Sequence, residues 1–179
     1  LIEDFTLKRL TADHALKGFD CGDDDLNEFF HEDAKKYLDD LLAVTYVFED
    51  GKRTAAFFSV LNDKITNEDA GKNHWFTKLV KKSKIPDRKR RSSYPAVKVG
   101  RFGVHKDLRG KGLGSEILDF IKGWFILNNK TGCRYITVNA YNCESVTGFY
   151  KKNGFEFLTS TDKEKKTRLM YFDLIRLRP

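Results

Sequence analysis

The sequence predicts an α/β fold, a mixed α+β three-layer architecture whose central sheet has about six or seven strands with helices on both faces. Three observations predict it. Runs rich in Val, Ile, Thr, Tyr and Phe, each of strand length, alternate with segments whose apolar residues recur at helical spacing. The resulting order, β-α-β-β-(short α)-β-α-β-α-β-β, mixes a hairpin with strand–helix–strand units and so mixes strand directions. Of the 179 residues, 40% are hydrophobic and 13% aromatic, enough for one core, so residues 1–179 are expected to form a single domain. No internal repeat or linker interrupts it.

Phe5 to Leu10 alternates and reads as the first strand. Phe19-Asp20-Cys21-Gly22 reads as a turn, after which Asp23 or Asp24 caps a helix running through Tyr37, with Leu26, Phe29, Phe30, Ala34 and Tyr37 on its apolar face. Ala43 to Phe48 and Thr54 to Leu61 are strands joined at Asp50-Gly51, a hairpin signal. Lys64 to Lys72 reads as loop. His74 to Lys82 reads as a short helix with Trp75, Phe76, Leu79 and Val80 on one face, and Ser83 to Pro95 as a loop. Ala96 to Val104 is the next strand. Gly112 to Asn128 is the long helix, with Leu113, Ile117, Leu118, Ile121 and Phe125 on one face and Gly132 beyond its end. Tyr135 to Ala140 is a strand and Glu144 to Lys152 a short helix ended by Gly154. Phe155 to Leu158 and Leu169 to Leu174 are the last strands, joined by the charged turn Thr161 to Thr167.

The net charge of +7 is unevenly spread. Asp20 to Asp40 holds nine acids against two lysines, whereas Lys78 to Arg91 holds eight basic residues against Asp87. A basic run can meet a polyanion such as RNA or a phosphorylated cofactor, or it can be a solvated loop. Cys21, Cys133 and Cys143 are odd in number and without metal-ligand or disulfide spacing, as expected of free thiols in a cytoplasmic protein. No apolar run reaches membrane-spanning length, and Leu1 to Leu10 carries alternating charges unlike a signal peptide.

The densest chemical signal is Arg109-Gly110-Lys111-Gly112-Leu113-Gly114, followed by Ser115, placed after a strand and at the start of the long helix. Glycines let the backbone approach an anion, and the first N–H groups of a helix lack intrahelical partners while its dipole favours negative charge. The dinucleotide pattern GxGxxG does not fit this spacing, and no Gly-Lys-Ser/Thr closes a triphosphate loop. What stands is Arg-x-x-Gly-x-Gly.

That motif resembles the acetyl-CoA loop of the GNAT N-acetyltransferases. A second match follows in order: Asn142, then Phe149-Tyr150-Lys151-Lys152-Asn153-Gly154-Phe155, resembling the family's Asn…Phe/Leu-Tyr-x-x-x-Gly-Phe segment. The resemblance spans Phe5 to Leu174. It implies a GNAT fold with a splayed parallel strand pair, here Lys98 to Val104 and Arg134 to Ala140, that receives the pantetheine arm as an added strand. It implies cofactor contacts from Phe102, Gly103 and Val104, from the loop residues Arg109, Gly110, Lys111, Gly112, Leu113, Gly114 and Ser115, and from Asn142. It also implies that Tyr150 protonates the departing thiolate, a task suited to a phenol that is neutral at pH 7. Packing alone is the other reading of Tyr150.

Many relatives carry a Glu on the strand before the glycine loop; here that strand has no acid, and His105 is the nearest group that titrates near neutrality. Direct attack by a neutral amine, or relay through water, fits better than a His105 base. Phe19-Asp20-Cys21-Gly22 with Leu26-Asn27-Glu28-Phe29, together with Pro95-Ala96-Val97-Lys98-Val99-Gly100-Arg101-Phe102-Gly103-Val104, is similar to a GNAT subgroup that includes toxins acetylating aminoacyl-tRNA. Phe102-Gly103 departs from the Leu-Ala usual there. The subgroup implies an aminoacyl-tRNA acceptor, a small DNA-binding antitoxin as partner and, as in many relatives, a homodimer. Arg88, Lys89, Arg90, Arg91 and Arg101 are then candidates for tRNA phosphates. A small-molecule or protein amine as acceptor, and a non-catalytic CoA- or RNA-binding module, stay open as alternatives.

Overall fold

Seven strands form one mixed sheet in the order β1-β2-β3-β4-β5-β7-β6. They are β1 (Thr6–Arg9), β2 (Val44–Glu49), β3 (Thr54–Thr66), β4 (Ser93–Val104), β5 (Tyr135–Tyr141), β6 (Glu156–Phe157) and β7 (Thr167–Asp173). The α-helices are α1 (Asp24–Glu28), α2 (Ala34–Asp39), α3 (Trp75–Lys82), α4 (Leu113–Ile126) and α5 (Glu144–Lys152). The computed structural model describes residues 1–70, 75–82, 91–127 and 131–178, and the backbone alone at 75, 76, 78 and 80. Two compact units make up the chain: Leu1–Leu61 with Val99–Phe120, and Asn62–Lys98 with Ile121–Pro179.

In the first unit β1, β2 and β3 pair antiparallel, with Leu7 opposite Phe48 and Tyr46 opposite Phe58. Asp50 closes the β2–β3 hairpin by accepting from the backbone N–H groups of Lys52 and Arg53. Asp23 caps α1, its carboxylate accepting from Leu26 N at 3.0 Å. The core joins Phe19, Phe30 and Phe57, whose ring centroids lie 4.9–5.1 Å apart, with Leu10, Cys21, Phe29, Ala34 and Val47. Glu49 is buried at the bulge in β2 and is neutralised by Lys8 Nζ at 2.7 Å, His14 Nε2 at 3.2 Å and Lys17 Nζ at 3.5 Å. Burial alone would raise its pKa; the Lys8 hydrogen bond and the His14 and Lys17 charges outweigh it and lower it.

In the second unit β4 and β5 run parallel, with Ala96 opposite Tyr135, Val97 opposite Ile136 and Lys98 opposite Thr137. β7 pairs antiparallel with β5 along its whole length and with β6 on its other side. Tyr94, Ala96, Tyr135, Tyr171, Ile65, Leu79 and Leu158 form one buried cluster. The turn before β7 is fixed by the buried pair Arg168–Asp162, 2.6 Å apart, with the guanidinium 3.9 Å from the Phe157 ring centroid.

Four local expectations are corrected. The strand expected to end at Leu61 runs to Thr66, because Ile65 resumes the inward alternation and is buried; Lys64 to Thr66 are therefore not loop. The strand expected from Ala96 begins at Ser93 and includes Pro95, whose carbonyl accepts from Arg134 N at 3.0 Å. The helix expected from Asp23 or Asp24 to Tyr37 is interrupted by a π-helical turn over Phe29–Asp33, which puts both Phe29 and Phe30 in the core. Thr167 belongs to β7 rather than to the turn before it, Arg168 extends the strand at the same end, and Leu174 opens a 3₁₀ turn after it.

Candidate active site

The glycine loop has the backbone its sequence demands. Gly110 and Gly112 have φ of +72° and +93°, the left-handed region that side chains resist. A Cβ added at either would meet no heavy atom within 4 Å, so the loop has open space before it. Arg109 and Lys111 are exposed beside it, and Leu113, fully buried, anchors the first turn of α4. Ser115 N and Glu116 N bond back to Gly112 O, which starts the helix; the first N–H groups of a helix lack intrahelical partners and suit an anion. The residues present therefore fit a pyrophosphate.

The same unit explains the departure at Phe102-Gly103. A Cβ at residue 103 would lie 2.9 Å from Phe57 Cε1 and 3.0 Å from Phe19 Cζ. Alanine has no room there because Phe19 and Phe57 fill it. Phe102 and Val104 flank Gly103 and are half-buried. The turn that supplies Phe19 is tightly tied: Asp20 accepts from Gly22 N at 2.7 Å and Asn27 Nδ2 at 3.0 Å and pairs with Lys106 Nζ at 2.7 Å. The Lys106 hydrogen bond, with those from Gly22 and Asn27, holds the Asp20 carboxyl far below the usual carboxylate range. Cys21 is buried and its thiol is pushed up by burial. Gly22 has φ +70°, and a Cβ there would lie 3.9 Å from an Arg109 guanidinium nitrogen. The turn and the glycine loop thus meet through Arg109.

Two candidates have duties of their own. His105 caps the turn Lys106–Leu108: its Nδ1 accepts from Asp107 N at 3.3 Å, and Phe19 packs edge-on against its ring. Arg101 lies over the Phe29 ring at 5.2 Å, donates to Gly100 O at 3.1 Å and stands 3.8 Å from Asp25. Arg91 is exposed. Arg88, Lys89 and Arg90 lie outside the described residues.

In the second unit Tyr150 is 8% exposed on α5, between the rings of Phe149 and Phe155 at 5.3 and 5.4 Å. Burial pushes its phenol well above the ordinary tyrosine range, and among the described residues no hydrogen bond engages its hydroxyl. The side chain is therefore protonated at neutral pH. Asn142 is exposed, but its carboxamide nitrogen donates to Lys163 O at 2.7 Å and Lys165 O at 2.9 Å, so its oxygen is what it can offer a ligand. Sequence reasoning missed a polar group: Asp63, Lys98 and Thr137, from β3, β4 and β5, meet at one carboxylate oxygen. The period-two phase of Leu61, Asp63 and Ile65 could have extended the strand as far as Asp63, but no spacing pointed to its partners.

A mixed sheet with a parallel β4–β5 pair, and a left-handed glycine loop opening a long helix, define an α/β protein with a loop suited to a phosphate. The family model described as "Acetyltransferase (GNAT) domain" matches residues 43–157. The chain belongs to that family and is an acetyltransferase. No curated protein matches it in sequence. Among solved structures it is similar to AtaT complexed with acetyl-methionyl-tRNAfMet, with a TM-score of 0.73 at 20% identity over 97% of each chain. A structure described as a bacterial toxin gives a TM-score of 0.75 at 15% identity, covering 96% of this chain and 92% of that one. A tyrosine-to-phenylalanine mutant of KacT gives 0.71 at 20% identity, covering 97% and 96%. At these identities the likeness establishes the fold. No helix among the described residues is long and apolar enough to cross a membrane.

Proposed function

We propose that this acetyltransferase uses acetyl-CoA to acetylate the α-amine of an aminoacyl-tRNA. The single observation that carries the donor is the glycine loop, with two left-handed glycines, open space before them and exposed Arg109 and Lys111 alongside. In this reading Arg109 and the N–H groups from Gly110 to Ser115 hold the pyrophosphate. Backbone groups of Phe102, Gly103 and Val104 align the pantetheine arm, and the Asn142 oxygen meets its amide. The thioester supplies an activated acetyl group. Tyr150, buried and protonated, gives its proton to the departing sulfur.

The acceptor rests on similarity of fold to AtaT, seen with acetyl-methionyl-tRNAfMet, and on the net charge of +7, which suits a polyanion. Arg88, Lys89, Arg90, Arg91 and Arg101 are the phosphate contacts of this reading. Arg101 would release Asp25 on engaging tRNA. AtaT has also been seen bound to the C-terminus of the antitoxin AtaR, and this supports a toxin neutralised by a small DNA-binding partner. A homodimer is part of the same reading. Three free cysteines support a cytoplasmic site of action.

Labelled acetyl-CoA offered together to charged tRNA, polyamines and peptides tests it. Label appearing on charged tRNA is the expected result. Label on polyamines or peptides alone overturns the acceptor, and retention of CoA without transfer to any amine overturns the enzyme reading.

A further inference from the structure

Lys122, on α4, is 5% exposed, and its ammonium takes no part in the chemistry proposed above. Its Nζ donates to the Asn153 carbonyl at 2.9 Å. It lies 4.8 Å from the Phe172 ring centroid and 6.0 Å from that of Phe155. Arg176 meets the same turn from the surface. It donates to the Gly154 carbonyl at 2.9 Å, with its guanidinium carbon 5.0 Å from the Phe172 centroid. Two cations thus hold consecutive carbonyls of one turn, and both lie against one ring. Lys122, Arg176, the turn and Tyr150 all belong to the second unit.

That turn ends the helix that bears Tyr150. Asn153 N donates to the Phe149 and Tyr150 carbonyls at 3.2 and 3.1 Å, and Phe155 N to Tyr150 O at 3.0 Å. Asn153 Nδ2 donates to Phe149 O at 2.9 Å. The Phe155 ring, beside the Lys122 ammonium, packs against the Tyr150 ring at 5.4 Å. Lys122 therefore reaches Tyr150 by two routes, the backbone of the turn and one aromatic ring. Helix-end electrostatics are a poor account of it. A cation does favour a helix C-terminus, but the last turn of α5 already carries the exposed Lys151 and Lys152. Burying a charge is costly, and an apolar side chain of similar length would fill the space at lower cost. What a buried ammonium adds is a fixed position.

We propose that Lys122 is a positioning residue for acetyl transfer: with Arg176 it clamps the Asn153–Gly154 turn and so fixes the Tyr150 hydroxyl where the departing sulfur takes its proton. The inference rests on the proposed role of Tyr150 as proton donor. The amine nitrogen forms the N–C bond as the C–S bond breaks. The Tyr150 O–H proton passes to sulfur, and a proton from the attacking nitrogen restores the phenol. Lys122 exchanges no proton in this step. Its contribution is geometric, and a misplacement of about 1 Å can cost about 10²-fold in rate. The clamp acts on turnover rather than on donor affinity, because the glycine loop holds the pyrophosphate.

The test uses the full chain, acetyl-CoA, and both charged tRNA and methionine methyl ester as amine probes. Lys122→Met, similar in length and uncharged, is expected to lower kcat by about tenfold or more, with KM for the amine and CoA affinity unchanged. Lys122→Arg, which keeps a donor, is expected to keep part of the activity. In a Tyr150→Phe background Lys122→Met is expected to cost nothing more, whereas a purely structural role would subtract the same factor in both backgrounds. Absorbance titration follows the phenol without turnover. The late-titrating group that Tyr150→Phe removes is expected to titrate earlier in Lys122→Met, as water reaches a loosened ring. Phe172→Leu is expected to lower kcat several-fold and gives a second handle should Lys122→Met fail to fold. Wild-type kcat in Lys122→Met, equal losses in the two backgrounds, or an unmoved phenol titration overturns the assignment; an inactive Tyr150→Phe then leaves the proposed function standing. Wild-type turnover in Tyr150→Phe overturns the proton-donor role and this inference with it. A wild-type chain that acetylates neither probe overturns the proposed function and the inference together.

Discussion

Four glycines of the first unit, Gly100 and Gly103 on β4 and Gly110 and Gly112 just after it, are glycines for opposite reasons. On the strand the limit is space: a Cβ would lie 2.8 Å from Leu61 Cδ2 at residue 100 and 2.9 Å from Phe57 at residue 103. In the loop space is open and the limit is backbone conformation, with φ of +72° and +93°. A glycine pressed by neighbours reports packing. A glycine in a left-handed turn with nothing before it leaves room for something else, and only the second kind carries information about a ligand.

Four experiments break or sharpen that contrast. The largest expected effect comes from Tyr150→Phe, which separates chemistry from donor binding: turnover falls by about 10²-fold or more, while CoA affinity by calorimetry and melting temperature hold. Since burial keeps the Tyr150 phenol protonated well past its usual range, its ionisation should not limit the rate up to about pH 10. A group whose folded pKa is raised adds stability that is present below the unfolded value and lost above it. Absorbance titration of wild type against Tyr150→Phe should accordingly remove one late-titrating phenol and a loss of stability that begins above about pH 10.

Gly112→Ala comes next. It forces a side chain into the left-handed region at a cost of about 1–3 kcal/mol, and CoA affinity should fall by about tenfold or more as the loop relaxes. An unchanged affinity would remove the loop from the donor site. Gly103→Ala should do the reverse, lowering stability by about 1–3 kcal/mol through overpacking against two rings, with CoA affinity of the folded protein retained; denaturant unfolding checks it. Gly100→Ala should cost least, under about 1.5 kcal/mol, because only the end of the Leu61 side chain must move. Equal losses at 100 and 103 would contradict the packing argument.

The loop, the Tyr150 helix and most strands were legible because their signals are local: glycine spacing, a helical apolar face, β-branched runs. The end of β3 was hidden because Asn62, Asp63 and Lys64 are polar, although Ile65 beyond them is buried. Ser93 to Pro95 looked like loop for its serine and proline, yet the Pro95 carbonyl is used by Arg134. The Asp63–Thr137 contact joins residues 74 positions apart, and no spacing in one sequence reveals such a pair. Gly103 could be noticed as a departure from Leu-Ala, but its cause, Phe19 and Phe57 closing over the strand, requires three dimensions.

The π turn over Phe29–Asp33 has a consequence for lineage. A helix takes up one extra residue by widening a single turn, and such turns are frequent at functional sites. The extra residue here turns two adjacent phenylalanines inward, onto the ring cluster that excludes a side chain at Gly103. Related chains whose helix is unbroken are expected to be one residue shorter between Cys21 and Ala43 and to have a larger residue at the position of Gly103. Insertion and substitution would then be one inherited event, recorded at two places on the chain.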